Sequence, residues 1–220
     1  MYVLADFKIV INDPEAPKIE KVFRVKVIGD PSVEYSDKMK EKYELPIIKV
    51  NEKLSNELQL KHGVATIKMI KPGTNERVKI TGRVIVDNNI PENEVHVNYD
   101  LLVNSIGVNE VEGEIVRSRA WQIRVSGDRA RSFIGLKIGD RISGELIGLK
   151  NVELEIRGGS DNSGFPMRPD IPGGVKKRVL LSNPPGFHPR KRGERRRRKI
   201  VRGNTITEDI VQINTVIIYK

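Results

Sequence analysis

The sequence predicts a mainly β protein that carries one long basic, Gly/Pro-rich excursion. Three observations predict it. Stretches at 2–11, 120–125, 152–156 and 210–218 are β-branched and apolar, most of them alternating with polar residues at the period of a half-buried strand. Residues 135–148 space four glycines among alternating apolar residues, as tightly bent barrel strands do. The charge is confined: residues 158–206 hold 13 Lys or Arg and 3 Asp or Glu, a net +10 that equals the formal charge of the whole chain.

That confinement points to a polyanion partner. Nine of the 13 cations are arginines, whose planar fork gives two parallel hydrogen bonds to a phosphate and stays charged at any working pH. The expected RNA-binding residues are Arg168, Lys176, Lys177, Arg178, Phe187, His188, Arg190, Lys191, Arg192, Arg195, Arg196, Arg197, Arg198, Lys199 and Arg202. Phe165, Phe187 and His188 are flat groups among the cations, suited to stacking on splayed bases, although a lone Phe in a Pro-Gly loop equally often plugs a small core. Asn183-Pro184-Pro185-Gly186-Phe187 and 158–164 are too rich in turn formers for a helix or a central strand. A bare run such as 195–199 is often only a solvated loop. Here an apolar strand at 210–218 follows, so the excursion is tied down at both ends.

GGSDNSGFPMRPD, GGVKKRVLLS and GFHPRKRGERRRRKIVRGNTI, with FKIVINDP at 7–14 and IGLKIGD at 134–140, resemble the S6e family of small-subunit ribosomal proteins of archaea and eukaryotes. The ending ITEDIVQIN at 206–214 is similar to the archaeal members. With the chain ending at Lys220, the long C-terminal phosphorylated helix of eukaryotic members is expected to be missing. The resemblance implies a small β-barrel core bound to small-subunit rRNA, with no catalytic activity; the absence of cysteine and of a signal pattern fits a cytoplasmic location, in the ribosome, and no cofactor or metal is expected from the residues. It also implies that 20–118 interrupts the pattern, because short members run from the first strand almost directly into the equivalent of Trp121-Gln122-Ile123-Arg124-Val125. The expected organisation is therefore an RNA-binding core at 1–19 and 119–220, with an inserted β-rich (α+β) domain at 20–118.

In chain order, the first strand ends at the turn formers Asn12-Asp13-Pro14. Within the insertion, Ile48-Lys49-Val50-Asn51 with Leu54, Leu58 and Leu60 resembles Val95-His96-Val97-Asn98 with Leu101, Ile106 and Val108, at an offset of 47 to 48 residues. Each copy reads as a strand, a short helix begun near the Asn, a turn and a further strand at 65–70 or 114–117. Such a duplication fits a double-psi-like barrel; two unrelated β-α-β segments are the plainer alternative. The insertion holds 15 basic and 16 acidic residues, a balance that suits solvent or a neighbouring ribosomal protein better than RNA. A strand at 120–125, a short helix at 128–134 and strands at 152–156 and 175–182 complete the core.

Composition excludes several classes. No cysteine means no disulfide, thiolate metal site or thiol nucleophile. No apolar run approaches membrane-spanning length, and no signal-peptide pattern opens the chain. His62, His96 and His188 lack metal-ligand spacing and are expected to be structural or solvent-facing. Gly159 to Gly164 has phosphate-loop spacing, yet Phe165-Pro166 stands where Lys-Ser/Thr is required. No small-molecule substrate or membrane partner is expected. Two rivals remain: a DNA-binding regulator using the duplicated barrel, which would need a basic face on the insertion, and an RNA-modifying enzyme, which would need a clustered acid, base or cofactor loop.

Overall fold

The computed structural model describes residues 6–17, 21–74, 76–149, 152–189 and 195–219. The chain folds as two compact units, one formed by 1–12 and 122–220 and the other by 13–121.

Strand β1 (Asp6–Asn12) opens the first unit and buries Phe7, Ile9 and Ile11, the alternate residues. The second unit follows, with β2 (Phe23–Asp30), α1 (Asp37–Lys40), β3 (Ile47–Val50), α2 (Glu52–Leu58), β4 (Val64–Ile70), β5 (Arg77–Val86), β6 (Glu94–Asn98), α3 (Tyr99–Ile106) and β7 (Glu110–Arg117). Its strands close a barrel in the order β2-β6-β3-β5-β4-β7.

The barrel is a duplication with a pseudo-two-fold axis, so the expected double-psi-like arrangement is present. Exchanging β2, β3 and β4 for β5, β6 and β7 maps the pairing onto itself: β2 runs parallel to β6 as β5 does to β3, and antiparallel to β7 as β5 does to β4. The axis passes between the self-equivalent pairs Lys49–His96 and Ile67–Ile115. The equivalence reaches single hydrogen bonds. Asn51 caps α2 and donates to the Ile90 carbonyl (2.7 Å), while Asn98 caps α3 and donates to the Val33 carbonyl (2.8 Å). The backbone NH of Ser32 donates to Asp30, as that of Asn89 does to Asp87. Each helix ends on a left-handed residue, Gln59 in one copy and Gly107 in the other. A core of Val25, Val27, Ile48, Val50, Ile67, Met69, Val95, Val97, Leu102 and Ile115 fills the barrel. Sequence periodicity located the second and third strands of each copy but not the first, β2 and β5.

The first unit resumes with β8 (Ala120–Ser126), α4 (Asp128–Arg131), β9 (Arg141–Ser143), β10 (Val152–Asp161), β11 (Lys176–Leu181), β12 (Arg197–Arg202) and β13 (Ile210–Tyr219). Five strands form one sheet in the order β8-β1-β13-β10-β9, with β1 parallel to β13 and β10 antiparallel to it. Phe133, Leu154, Ile156, Ile213 and Ile217 join the β1 side chains in burial. Residues 135–148 are mostly loop: only β9 and one 3-10 turn at Gly144–Ile147 are regular.

One expectation is corrected here. Gly158 and Gly159 do not break the chain into a turn; β10 runs through them, paired with Asn214 and Ile213 of β13. The physical reason is close approach. A Cβ on Gly159 would collide with the Gln212 carbonyl, so glycine is what lets the two strands pair there.

Candidate nucleic-acid interface

The basic segment is held at its root and open beyond it. β11 and β12 form a separate two-stranded antiparallel ribbon, with Lys176 opposite Arg202, Arg178 opposite Ile200 and Leu180 opposite Arg198. Directly opposed residues share a face, so the ribbon has two. The face bearing Val179, Leu181 and Val201 packs on Phe187 and Ile171 as a small core of its own. The other face bears Arg178, Leu180, Arg198 and Ile200, all exposed.

Backbone bonds fasten the root. Arg202 NH donates to the Pro166 carbonyl (2.9 Å), Arg168 NH to the Arg202 carbonyl (3.0 Å), and Gly203 NH to the Val175 carbonyl (2.8 Å). Two buried arginines reinforce them. Arg168, 7% exposed, forks onto Asp170 (2.8 and 3.0 Å) and donates to the carbonyls of Pro185 (2.7 Å) and Asn183 (3.3 Å). That fork holds the Asp170 carboxyl below its ordinary range. Arg202, 6% exposed, donates to Thr207 (2.7 Å) and Asp209 (3.1 Å). Asp161 completes the root: one oxygen accepts from the NH groups of Ser163 and Phe165, and the other lies 3.9 Å from Lys176 Nζ. That ammonium also sits 4.5 Å from the centre of the Phe165 ring.

The residues expected from sequence therefore divide. Lys177, Arg178, His188, Arg195, Arg196, Arg197 and Arg198 are exposed, Lys199 is half-buried, and Lys176 is turned to Phe165 and Asp161. Arg190, Lys191 and Arg192 lie outside the described residues. Three of the expected residues are buried in this structure. Phe187, at 2% exposure, is the centre of the ribbon core and offers no ring face to a base. Arg168 and Arg202 are buried and turn their guanidinium groups to partners inside the protein; Arg168 uses all three nitrogens, whereas Arg202 bonds through Nη2 alone and leaves its Nε buried without a hydrogen-bond partner among the described residues. Leu180 and Ile200 were missed as surface residues. The signal was the alternation within 176–181 and 197–202, which has meaning only once the two stretches are paired.

Elsewhere His96 Nδ1 lies 3.3 Å from Asp30, His62 is half-buried and His188 exposed. Among the described residues no group of three or more His, Cys, Asp or Glu is placed to hold a metal. No helix among them is long and apolar enough to cross a membrane.

Fold and site together define a β-sheet protein that displays a rooted cationic ribbon and carries a duplicated barrel. Comparison places it more narrowly. The family model described as Ribosomal protein S6e matches residues 112–220. The small ribosomal subunit protein eS6 of Staphylothermus marinus is 67% identical over 216 residues, covering 98% of this chain and 100% of the relative. That of Hyperthermus butylicus is 54% identical, covering 98% of each, and that of Saccharolobus islandicus 43% identical over 218 residues. The chain belongs to the ribosomal protein S6e family. The span of these matches includes the barrel, so the relatives match the chain across its insertion as well.

Proposed function

We propose that this chain is a structural constituent of the small ribosomal subunit and holds rRNA by its phosphates through the basic segment 158–206. The observation that carries the proposal is the placement of the whole chain's net +10 in that one segment. Family membership supports the subunit, since the relatives are named small ribosomal subunit proteins. The contacting groups are Lys177, Arg178, His188, Arg195, Arg196, Arg197, Arg198 and Lys199, together with Arg190, Lys191 and Arg192. Arg168 and Arg202 are positioning residues that set the ribbon on its root.

The mechanism is displacement of condensed counterions together with forked arginine contacts to the RNA backbone; neither step needs a cofactor or a reacting group. Residues 1–19 and 119–220 act as the RNA-binding core and 20–118 as a mount whose balanced charge faces solvent or a neighbouring ribosomal protein. A DNA-binding regulator built on the barrel would need a basic face, which 15 basic and 16 acidic residues do not supply. The place of action is the ribosome. Binding to small-subunit rRNA across a salt series tests this: with about six to ten phosphates engaged, affinity falls roughly a thousandfold or more between 50 and 200 mM salt. A flat response overturns the proposal.

A further inference from the structure

The outward face of the ribbon combines two chemistries that a purely electrostatic grip does not need. Arg178 stands opposite Ile200, and Leu180 opposite Arg198. Leu180 and Ile200 thus lie on one diagonal of the face and Arg178 and Arg198 on the other, each diagonal about 7 to 8 Å long. Leu180 is 53% exposed and Ile200 37%. Single exposed aliphatics are ordinary. Here two occupy neighbouring places on a strand pair whose opposite face buries Leu181 and Val201, and two guanidinium groups bracket them. Neither 176–181 nor 197–202 contains an acidic residue.

We infer that this face, made by Arg178, Leu180, Arg198 and Ile200, docks in the minor groove of double-helical RNA. The inference rests on the RNA-binding reading above and specifies which RNA surface is met and how. Charge complementarity requires a polyanion, and the apolar diagonal requires that it present carbon surface between its phosphates. The A-form major groove is too deep and narrow for side chains to read, whereas the minor groove is wide, shallow and lined with riboses. A ribbon laid there sets Leu180 and Ile200 on the sugar faces while Arg178 and Arg198 reach the phosphate strands on either side. Unpaired RNA is the poorer fit, because it is held by aromatic platforms. None of the four residues is aromatic: Phe187 is buried on the opposite side, and the half-buried Phe165 beside this face already carries the Lys176 ammonium over its ring.

The test uses the full chain with three probes of one sequence: an RNA hairpin, the DNA hairpin, and an unpaired RNA of equal length. Leu180→Thr with Ile200→Thr keeps β-favouring residues at exposed positions, and an unchanged unfolding midpoint verifies the fold. The double variant should lose roughly tenfold in affinity for the RNA hairpin, the scale of two partly buried aliphatic side chains, with the salt slope unchanged. Its affinity for the other two probes should stay at the wild-type level. Arg178→Gln with Arg198→Gln should instead lower the slope of log affinity against log salt by about two on the RNA hairpin. Wild-type affinity for the RNA hairpin in the L180T/I200T protein overturns the inference, as it would if an acidic protein segment covered this face. Equal wild-type binding to all three probes overturns it too. Either result leaves the broader RNA-binding reading standing, which fails separately if no probe and no rRNA binds with a salt-dependent affinity.

Discussion

Arg168 and Arg178 belong to the same basic segment, yet their surroundings give them opposite duties. Arg168 is held by Asp170 and two carbonyls, whereas Arg178 projects from the open face of the ribbon. Arg168→Ala should destabilise the first unit by about 2 to 3 kcal/mol, because the buried guanidinium and its charge-assisted bonds to Asp170 and two loop carbonyls are lost together. Lys177→Ala, at an exposed position, should stay within about 0.5 kcal/mol. Urea unfolding of both variants checks the contrast. The pair also has a pH signature. The folded carboxyl of Asp170 titrates below its ordinary 3.8, so its stabilising contribution is complete above that value and is lost as pH falls through the lower folded value. Asp170 is largely exposed, so the effect is small. In Asp170→Asn the stability profile should lack that acid-side loss; an unchanged acid limb would show that Asp170 is not the group whose titration produces it. At this scale the sequence identified the cations but not their fates, because burial is decided by loops that meet only in the folded chain. Phe187 shows the same limit, since one ring in a Pro-Gly loop reads equally as stacking platform or plug.

Among the elements, the barrel was legible where its two copies match and silent where they do not. Asn51 and Asn98, each opening a helix after an apolar strand, marked the repeat. The first strands escaped notice because β2 reaches β3 through a longer connection, carrying α1, than β5 does β6, and this shifts the spacing that the rest of the repeat keeps. The symmetry exposes one imperfect site. Gln59 ends α2 at φ 50, where Gly107 ends α3 at φ 89. Gln59→Gly removes a left-handed side-chain conformation and should stabilise the barrel by roughly 0.5 to 1 kcal/mol, read as a shift in thermal midpoint. A loss of stability would mean that Gln59 makes contacts outweighing its strain. Glycine misled in the other direction at Gly158 and Gly159, where residue type pointed to a turn. What composition could not convey was the neighbour: β13 passes so close that glycine is what permits pairing. Gly159→Ala should therefore part the two strands, seen as faster amide exchange along β10 and β13. Unchanged protection would show that the sheet tolerates the methyl group.

Over the whole molecule, division of labour follows from division of charge. A chain whose cations were spread evenly would bind polyanions weakly from any side. On the proposed reading, confinement to 158–206 gives binding one address, and a barrel of balanced charge offers no second one. That organisation was the most legible feature of the sequence, because net charge by segment needs no knowledge of folding. Of the ribbon only the first strand was legible, expected at 175–182; its pairing was not, since it joins 176–181 to 197–202 across a stretch with no strand pattern. The central claim is that the exposed arginines of the basic segment, not the barrel, hold the RNA. It is tested most directly by titrating the full chain against small-subunit rRNA at several salt concentrations with two variants. Replacing Arg195, Arg196, Arg197 and Arg198 by Ala should weaken binding severely and flatten the salt slope by about four, while replacing Lys38, Lys40 and Lys42 should leave both unchanged. The reverse pattern would place the RNA on the barrel and contradict the account.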